Sequence, residues 1–357
     1  MLLDQMGAPY RLIQDFTGVQ ATAFAVVIAA APLTASQQEA LIEYVREGGM
    51  VLDMRGEVFR RLQRHHRRQL WEETASILKY IDLIDLFSRI FAILTGRLPG
   101  KGLKVETPGG GMVIYLALPL DRLMLTTRPR REPFYSPAGT RFPNERVVGI
   151  SKGALLRVAQ ALLISLFKER GLPLVHRWYF PHGARNLFAF RIDSDFATPE
   201  QVRAWYELGR RHHLRFTWFL HAAAHESWLD VFREFEGHEM AVHGYRHYTY
   251  RSYRRNYQNL SRGRELLRQQ GFEPEGVAAP YGLWYPALAR AQEALGFAYA
   301  SEFSLGYDTF PFFPFVDGHF SPVLQVPIHP ICIGSLIRAG YSEAEMEAYF
   351  RHVVQRK

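Results

Sequence analysis

A single cysteine, Cys332, is all the thiol chemistry this 357-residue chain contains. One thiol excludes an intramolecular disulfide and any cysteine-based metal cluster. No apolar run approaches the roughly 20 residues needed to span a bilayer, so no transmembrane segment is expected. Met1-Leu2-Leu3-Asp4-Gln5 lacks the basic start and apolar stretch of a secretion signal. As written, the chain carries no export address and is expected in the cytoplasm; a segment missing upstream would make an extracytoplasmic location the expectation. The net charge is +8, but Arg is scattered and no nucleic-acid-binding motif accompanies it, so nucleic acid is not an expected partner. What is abundant is apolar surface. Hydrophobic residues make up 48% and aromatics 14%, which supplies packed cores and argues against disorder. The length favours two domains.

Residues 23–54 read as one β-α-β unit. Ala23-Phe24-Ala25-Val26-Val27-Ile28-Ala29 is a continuous apolar strand, buried on both faces. Pro32-Leu33-Thr34-Ala35-Ser36 leads into an amphipathic helix bearing Leu41, Ile42, Tyr44 and Val45, which Gly48-Gly49 stops before the strand Met50–Met54. This unit resembles the class I glutamine-amidotransferase-like fold, with its strand, Leu-Thr loop and helix ending in Gly-Gly. That resemblance implies a flavodoxin-like, doubly wound α/β domain over residues 1–175. No cysteine stands in this region to act as the amidotransferase nucleophile, so the domain is expected to be non-catalytic. Periodicity predicts helix over 57–96, basic at Arg60, Arg61, Arg64, Arg67 and Arg68, then apolar at Ile81, Ile84, Phe87, Phe91 and Leu94. The turn Pro108-Gly109-Gly110-Gly111 and the stretch 128–146 read as loops, and the glycines lack a phosphate-cradle pattern. A helix over 151–170 closes the domain.

From the turn Pro181-His182-Gly183-Ala184-Arg185 onward, strands and helices alternate. Strands are expected at 187–193, 215–220, 238–243, 276–279 and 297–301, with helices at 199–212, 226–235, 252–270 and 285–295. Such alternation predicts a parallel sheet or barrel with functional groups at the carboxyl ends of the strands. Two of those ends carry unusual chemistry. Phe188–Ile192 runs into Asp193-Ser194-Asp195, and Met240-Ala241-Val242 runs into His243-Gly244-Tyr245-Arg246-His247. Carboxylates and imidazoles together are the donors of a hydrolytic divalent metal site that keeps a position open for water. Gly244 permits the tight turn that brings both histidines to one strand end. Taken alone, an Asp-x-Asp is usually a turn and a His-x-x-x-His a chance surface spacing.

The order of strand-end groups is Asp193/Asp195, His243/His247, Ala279-Pro280-Tyr281-Gly282, then Leu324-Gln325-Val326-Pro327-Ile328-His329. It resembles the polysaccharide deacetylase family with the NodB-homology domain, a distorted (β/α) barrel, over residues 176–357. The resemblance implies that Asp195, His243 and His247 hold the metal. Zn2+ suits two imidazoles and a carboxylate, and Co2+, Ni2+ or Mn2+ accept the same donors. It further implies that Asp193 is the general base, that His329 is the general acid protonating the leaving amine, and that the Tyr281 N–H serves the oxyanion. Pro280, Tyr281 and Trp284 would bind an N-acetylated saccharide. His221 and His225 match no family motif and are expected to be structural.

Where the family carries an Arg that pairs with the base, this chain has Ala278. Alternate residues of a strand share a face, so Arg191 is expected to supply the missing guanidinium to Asp193. The leading reading is a metal-dependent hydrolase removing N-acetyl groups from an amino-sugar polymer or oligomer. The alternatives are a hydrolase of another non-peptide C–N bond on the same fold, and a catalytically silent carbohydrate-binding or scaffold protein.

Overall fold

The computed structural model describes residues 2–16, 18–70, 103–116, 120–133, 135, 139, 141, 145–178, 180–184, 187–307 and 310–356. Two compact units emerge, Met1–Thr126 with Ile150–Tyr179, and Thr127–Gly149 with Phe180–Lys357. A linear boundary at 175/176 therefore misses residues 127–149, which group with the second unit.

The first unit opens with the anticipated β-α-β. Strand β1 (Val27–Ala29) leads to helix α1 (Ala35–Arg46), which begins at a reciprocal cap between Thr34 and Gln37. Gly48, at φ +92°, ends it, and β2 (Met50–Asp53) follows, buried throughout. The buried Asp53 carboxylate accepts from the backbone N–H groups of Arg55, Gly56 and Phe59, and so anchors α2 (Glu57–Leu62). The helix expected over 57–96 does not continue. His65 and His66 turn back onto Leu62 O, and Arg68–Leu70 form strand β3. The apolar half, Ile81 to Leu94, lies outside the described residues. Strands β4 (Leu103–Glu106) and β5 (Met112–Tyr115) complete a sheet ordered β1-β2-β5-β4-β3. The glycines between them answer a packing need, since a Cβ on Gly109 or Gly111 would strike the carbonyls of Arg46 or Val45. Strands β1, β2 and β5 are parallel, but β4 runs antiparallel to both of its neighbours, β5 and β3. The described sheet is thus mixed, and only its first β-α-β matches a doubly wound pattern. Helix α3 (Lys152–Glu169) stands where expected.

In the second unit, part of the stretch read as loop forms an antiparallel pair, β6 (Pro129–Glu132) with β7 (Glu145–Val148). Proline at the first strand position and a run of arginines concealed it from a reading by apolar alternation. The main sheet has six parallel strands: β8 (Phe190–Asp193), β9 (Phe216–Leu220), β10 (Glu239–Val242), β11 (Gly276–Val277), β12 (Tyr299–Ala300) and, after the small hairpin β13 (Phe315–Val316) and β14 (His319–Phe320), β15 (Leu324–Gln325). Their order in space follows the chain, with only the hairpin left out. Helices α4 (Pro199–Arg211), α5 (Tyr253–Gln269), α6 (Pro286–Ala294) and α7 (Glu343–Arg356) fall between or after them. The helix expected at 226–235 is a short 3-10 turn over Leu229–Glu234. Its buried Leu229, Phe232 and Phe235 recur every third residue, the 3-10 period rather than the α one.

The pleat divides this sheet into two unlike faces. Trp218, Leu220, Met240, Val242, Val277 and Ala279 belong to the large core. Phe219, Ala241 and Ala278 form a separate small cluster on the other face. Arg191 on β8 bonds Ser301 just past β12, four strands away. In a flat sheet four spacings are about 19 Å, more than one side chain spans. The sheet is therefore curled into a half-barrel with the small residues on its concave side.

Candidate metal centre

Register places the polar groups on that concave side. Asp193 pairs with Phe219 and Arg191 with Thr217 across β8 and β9. The Val242–Val277 pairing puts the next residues, His243 and Ala278, side by side. Beyond β8 the chain turns, with Asp195 at φ +40°. Beyond β10, Gly244 at φ +88° lets the loop fold back, and Asn259 of α5 holds it. The Asn259 amide accepts from Arg246 N–H (2.7 Å) and donates to Arg246 O and Tyr248 O (3.1 and 3.2 Å).

These turns gather Asp195, His243 and His247 so that one ligand atom of each lies within 4.8 Å of the others. His243 Nε2 stands 3.3 Å and His247 Nε2 3.1 Å from Asp195 Oδ1. His243 Nδ1 is 2.8 Å from Ala278 O. A carbonyl only accepts, so Nδ1 carries a proton there and neutral His243 turns an Nε2 lone pair toward the carboxylate. Two acceptors face to face call for a proton or a cation between them. Adjacent ligands of a tetrahedral zinc, each about 2.0–2.1 Å from the ion, lie about 3.3 Å apart, so the spacing fits a metal. The Nδ1–H to carbonyl bond is also the usual orienting contact of a ligating histidine. Burial pushes the Asp195 carboxyl up, but when the two histidines carry their protons, hydrogen bonds and positive fields from both outweigh it and hold Asp195 well below the usual carboxylate range.

Asp193 lies beside this cluster, its Oδ2 3.9 Å from His243 Nε2. Arg191 grips it with two bonds, Nε to Oδ1 at 2.5 Å and Nη2 to Oδ2 at 2.6 Å. The same guanidinium donates through Nη1 to Ser301 O (2.6 Å) and Ser301 Oγ (3.1 Å), and lies over the Phe219 ring. Burial raises the Asp193 pKa; Arg191, then His243, overcome this and leave it lowered. The Arg191–Asp193 pair expected from strand alternation is present. Ala278, fully buried, offers only a methyl group on the concave side, which leaves room for Arg191 to cross to Ser301.

The other expected groups are placed unevenly. Pro280 is buried, and its carbonyl accepts from Thr249 Oγ1 at 3.1 Å. Tyr281, at φ +60° and 65% exposed, sets its ring edge-on to His247 with centroids 4.9 Å apart. Trp284 corrects the expectation of a saccharide-binding side chain: the residue is only 5% exposed, withdrawn into packing. His329 follows β15, with Nε2 2.7 Å from the Tyr349 hydroxyl of α7, and is not one of the three clustered ligands.

Several residues here gave no motif signal. Phe196, 69% exposed, packs edge-on to His221 and to His247, the same ring that Tyr281 meets edge-on. His221 and His225 sit behind Asp195, the latter pushed down to about 4 by burial. Glu302 is fully buried; one oxygen accepts from Ala279 N–H and Gln292, and burial pushes the acid up to about 7.

A family model for polysaccharide deacetylases matches residues 192–300. These residues are thus similar to a polysaccharide deacetylase domain. They include Asp193, Asp195, His243, His247, Pro280 and Tyr281, whereas Arg191 and His329 fall outside the matched span. Among solved structures, a putative polysaccharide deacetylase from Mycobacterium smegmatis is 20% identical over 42% of this chain and 60% of its own, with a TM-score of 0.37. Puue allantoinase is 25% identical over 35% of this chain and 42% of its own, at a TM-score of 0.29. A CE4-family pseudoenzyme from Bacillus anthracis is 11% identical over 65% of this chain and 90% of its own, at 0.33. The chain thus spans under two thirds of the first two. No curated protein matches it.

Proposed function

We propose that the polysaccharide deacetylase domain is a metal-dependent hydrolase that removes N-acetyl groups from an amino-sugar polymer or oligomer. The observation that carries this reading is the meeting of Asp195, His243 and His247 beside an Asp193 clamped by Arg191. Asp195 and the two histidines would hold the ion, with zinc the best match to the donors. When bound, a divalent cation at this place is a Lewis acid toward water and toward an amide carbonyl.

The chain's own groups account for the rest. Asp193, kept ionised by Arg191, takes the proton of the attacking water. The backbone N–H of Tyr281 donates to the carbonyl oxygen as it gains charge. His329, from the segment after β15, returns a proton to the leaving amine. Phe196 and Tyr281 offer apolar faces on which a sugar ring stacks. The first unit, residues 1–175 on the linear division, is read as a non-catalytic amidotransferase-like domain, supported by its β1-α1-β2 and by the absence of cysteine there.

The test is metal analysis of the purified chain together with acetate release from N-acetylglucosamine oligomers. Near-stoichiometric zinc and acetate release, both lost in His243→Ala, are the expected results. Metal without acetate release would favour the silent carbohydrate-binding reading, and a chain that binds no divalent metal would end the enzyme reading.

A further inference from the structure

Ser194 separates the two carboxylates, and its surroundings are unusually well specified. Its side chain is 2% exposed. The Ser194 N–H and Oγ–H both point to Phe219 O, at 3.0 and 3.2 Å. With its only proton committed, Oγ must accept from every other neighbour. It accepts from His221 N–H at 3.1 Å and from His225 Nε2 at 2.7 Å. His225 is therefore protonated on Nε2, which leaves its buried Nδ1 with no hydrogen-bond partner. A buried polar atom left unsatisfied is rare and calls for an explanation.

The neighbouring histidine completes the pattern. His221 Nδ1 is 2.8 Å from the backbone carbonyl of Asp195. Since the carbonyl can only accept, His221 donates from Nδ1. That bond lands on the one residue of the Asp-Ser-Asp segment in the left-handed region, Asp195 at φ +40°. The Asp195 side chain is half exposed and has little packing to hold it; its direction follows from its backbone.

We infer that His221, with Ser194 and His225 behind it, is a positioning residue that fixes the Asp195 turn and thereby sets the metal affinity of the centre. The inference rests on the metal-centre reading above. Ser194 pins the end of β8 to the end of β9, His225 fixes the Ser194 hydroxyl, and His221 locks the next carbonyl. Without the His221 bond the turn relaxes toward negative φ, and the Asp195 carboxylate leaves the place where it meets both Nε2 atoms.

Two replacements of His221 separate positioning from packing. His221→Phe keeps a ring against Phe196 and His247 but has no donor, while His221→Asn keeps an N–H donor near the Nδ1 position. Zn2+ affinity is read on the full chain by competition with a chelating indicator, and site geometry by the visible spectrum of the Co2+-loaded protein. Loss of an orienting contact of this kind weakens metal binding by about 10- to 100-fold. His221→Phe is expected to show that loss with a changed Co2+ spectrum, and His221→Asn to stay within about threefold of the parent chain. If His221→Phe does not fold, Ser194→Ala is expected to show the same loss with native circular dichroism. Parent-like Zn2+ affinity in His221→Phe, or in Ser194→Ala where that variant stands in, would overturn the inference alone, as would equal losses in His221→Phe and His221→Asn. Absence of Zn2+ binding by the parent chain would overturn the metal centre as well.

Discussion

At the scale of single residues, Arg191 and Ala278 are one decision made at two positions. The concave side of the half-barrel has room for one guanidinium between Asp193 and Ser301, and Ala278 leaves that room to β8. Arg191→Ala is expected to lower kcat/KM for a deacetylation substrate by about 10- to 100-fold at neutral pH. The sign of its pH effect follows from Asp193. Burial alone raises that carboxyl and Arg191 is the main group lowering it, so its removal lets the base stay protonated to higher pH. The acid limb of the kcat/KM profile should move upward, and an unmoved limb would show that Arg191 does not tune the base. Adding Ala278→Arg to Arg191→Ala should restore part of the loss, whereas Ala278→Arg alone puts two cations in one buried space. This pair could be anticipated because period-two alternation is a local rule. Phe196, His221 and Asn259 could not, since their roles depend on residues 20 or more positions away or on a helix folding back over a loop.

Among the elements, the loop after β10 concentrates the most function in the fewest residues. Gly244 takes φ +88°, and a Cβ there would come within 2.8 Å of the Asn259 amide nitrogen. That amide is the clamp on Arg246 and Tyr248, so the clash falls on the group that shapes the His243–His247 turn. Gly244→Ala is expected to cost roughly 1–2 kcal/mol from the left-handed backbone alone, read as a lower denaturant midpoint, together with weaker Zn2+ binding. A variant with unchanged midpoint and unchanged binding would show that the loop has another conformation open to it. Strong local signals made the neighbouring elements legible: Thr198 and Gln201 cap α4, and apolar runs mark β9 and β10. The Leu229–Glu234 turn and the β6–β7 pair were not, because three-residue spacing and an arginine-rich strand carry little apolar periodicity.

Across the whole molecule, the half-barrel buries one carboxyl with little compensation. Glu302 is fully inaccessible, one oxygen has no partner, and burial raises its pKa from 4.5 to about 7. A raised folded-state pKa means that the folded chain holds the proton more tightly than the unfolded one. Its stabilising contribution is complete below pH 4.5 and disappears as pH rises to about 7, a change on the order of 3 kcal/mol. Thermal melts of the parent chain and Glu302→Gln across this range should differ accordingly, the variant gaining relative stability as pH rises. A difference independent of pH would mean that folding does not raise the pKa of the acid. The amino-acid sequence by itself determined what is local: the β-α alternation of the second half, the β1-α1-β2 start of the first, and the donor types at the strand ends. Tertiary structure alone decided the mixed sheet of the first unit and the burial of Trp284. It also decided the curl that brings Arg191 to Ser301 and the histidine pair behind Asp195. Each of these depends on contacts between strands or loops distant in the chain, and periodicity carries no information about which distant groups will meet.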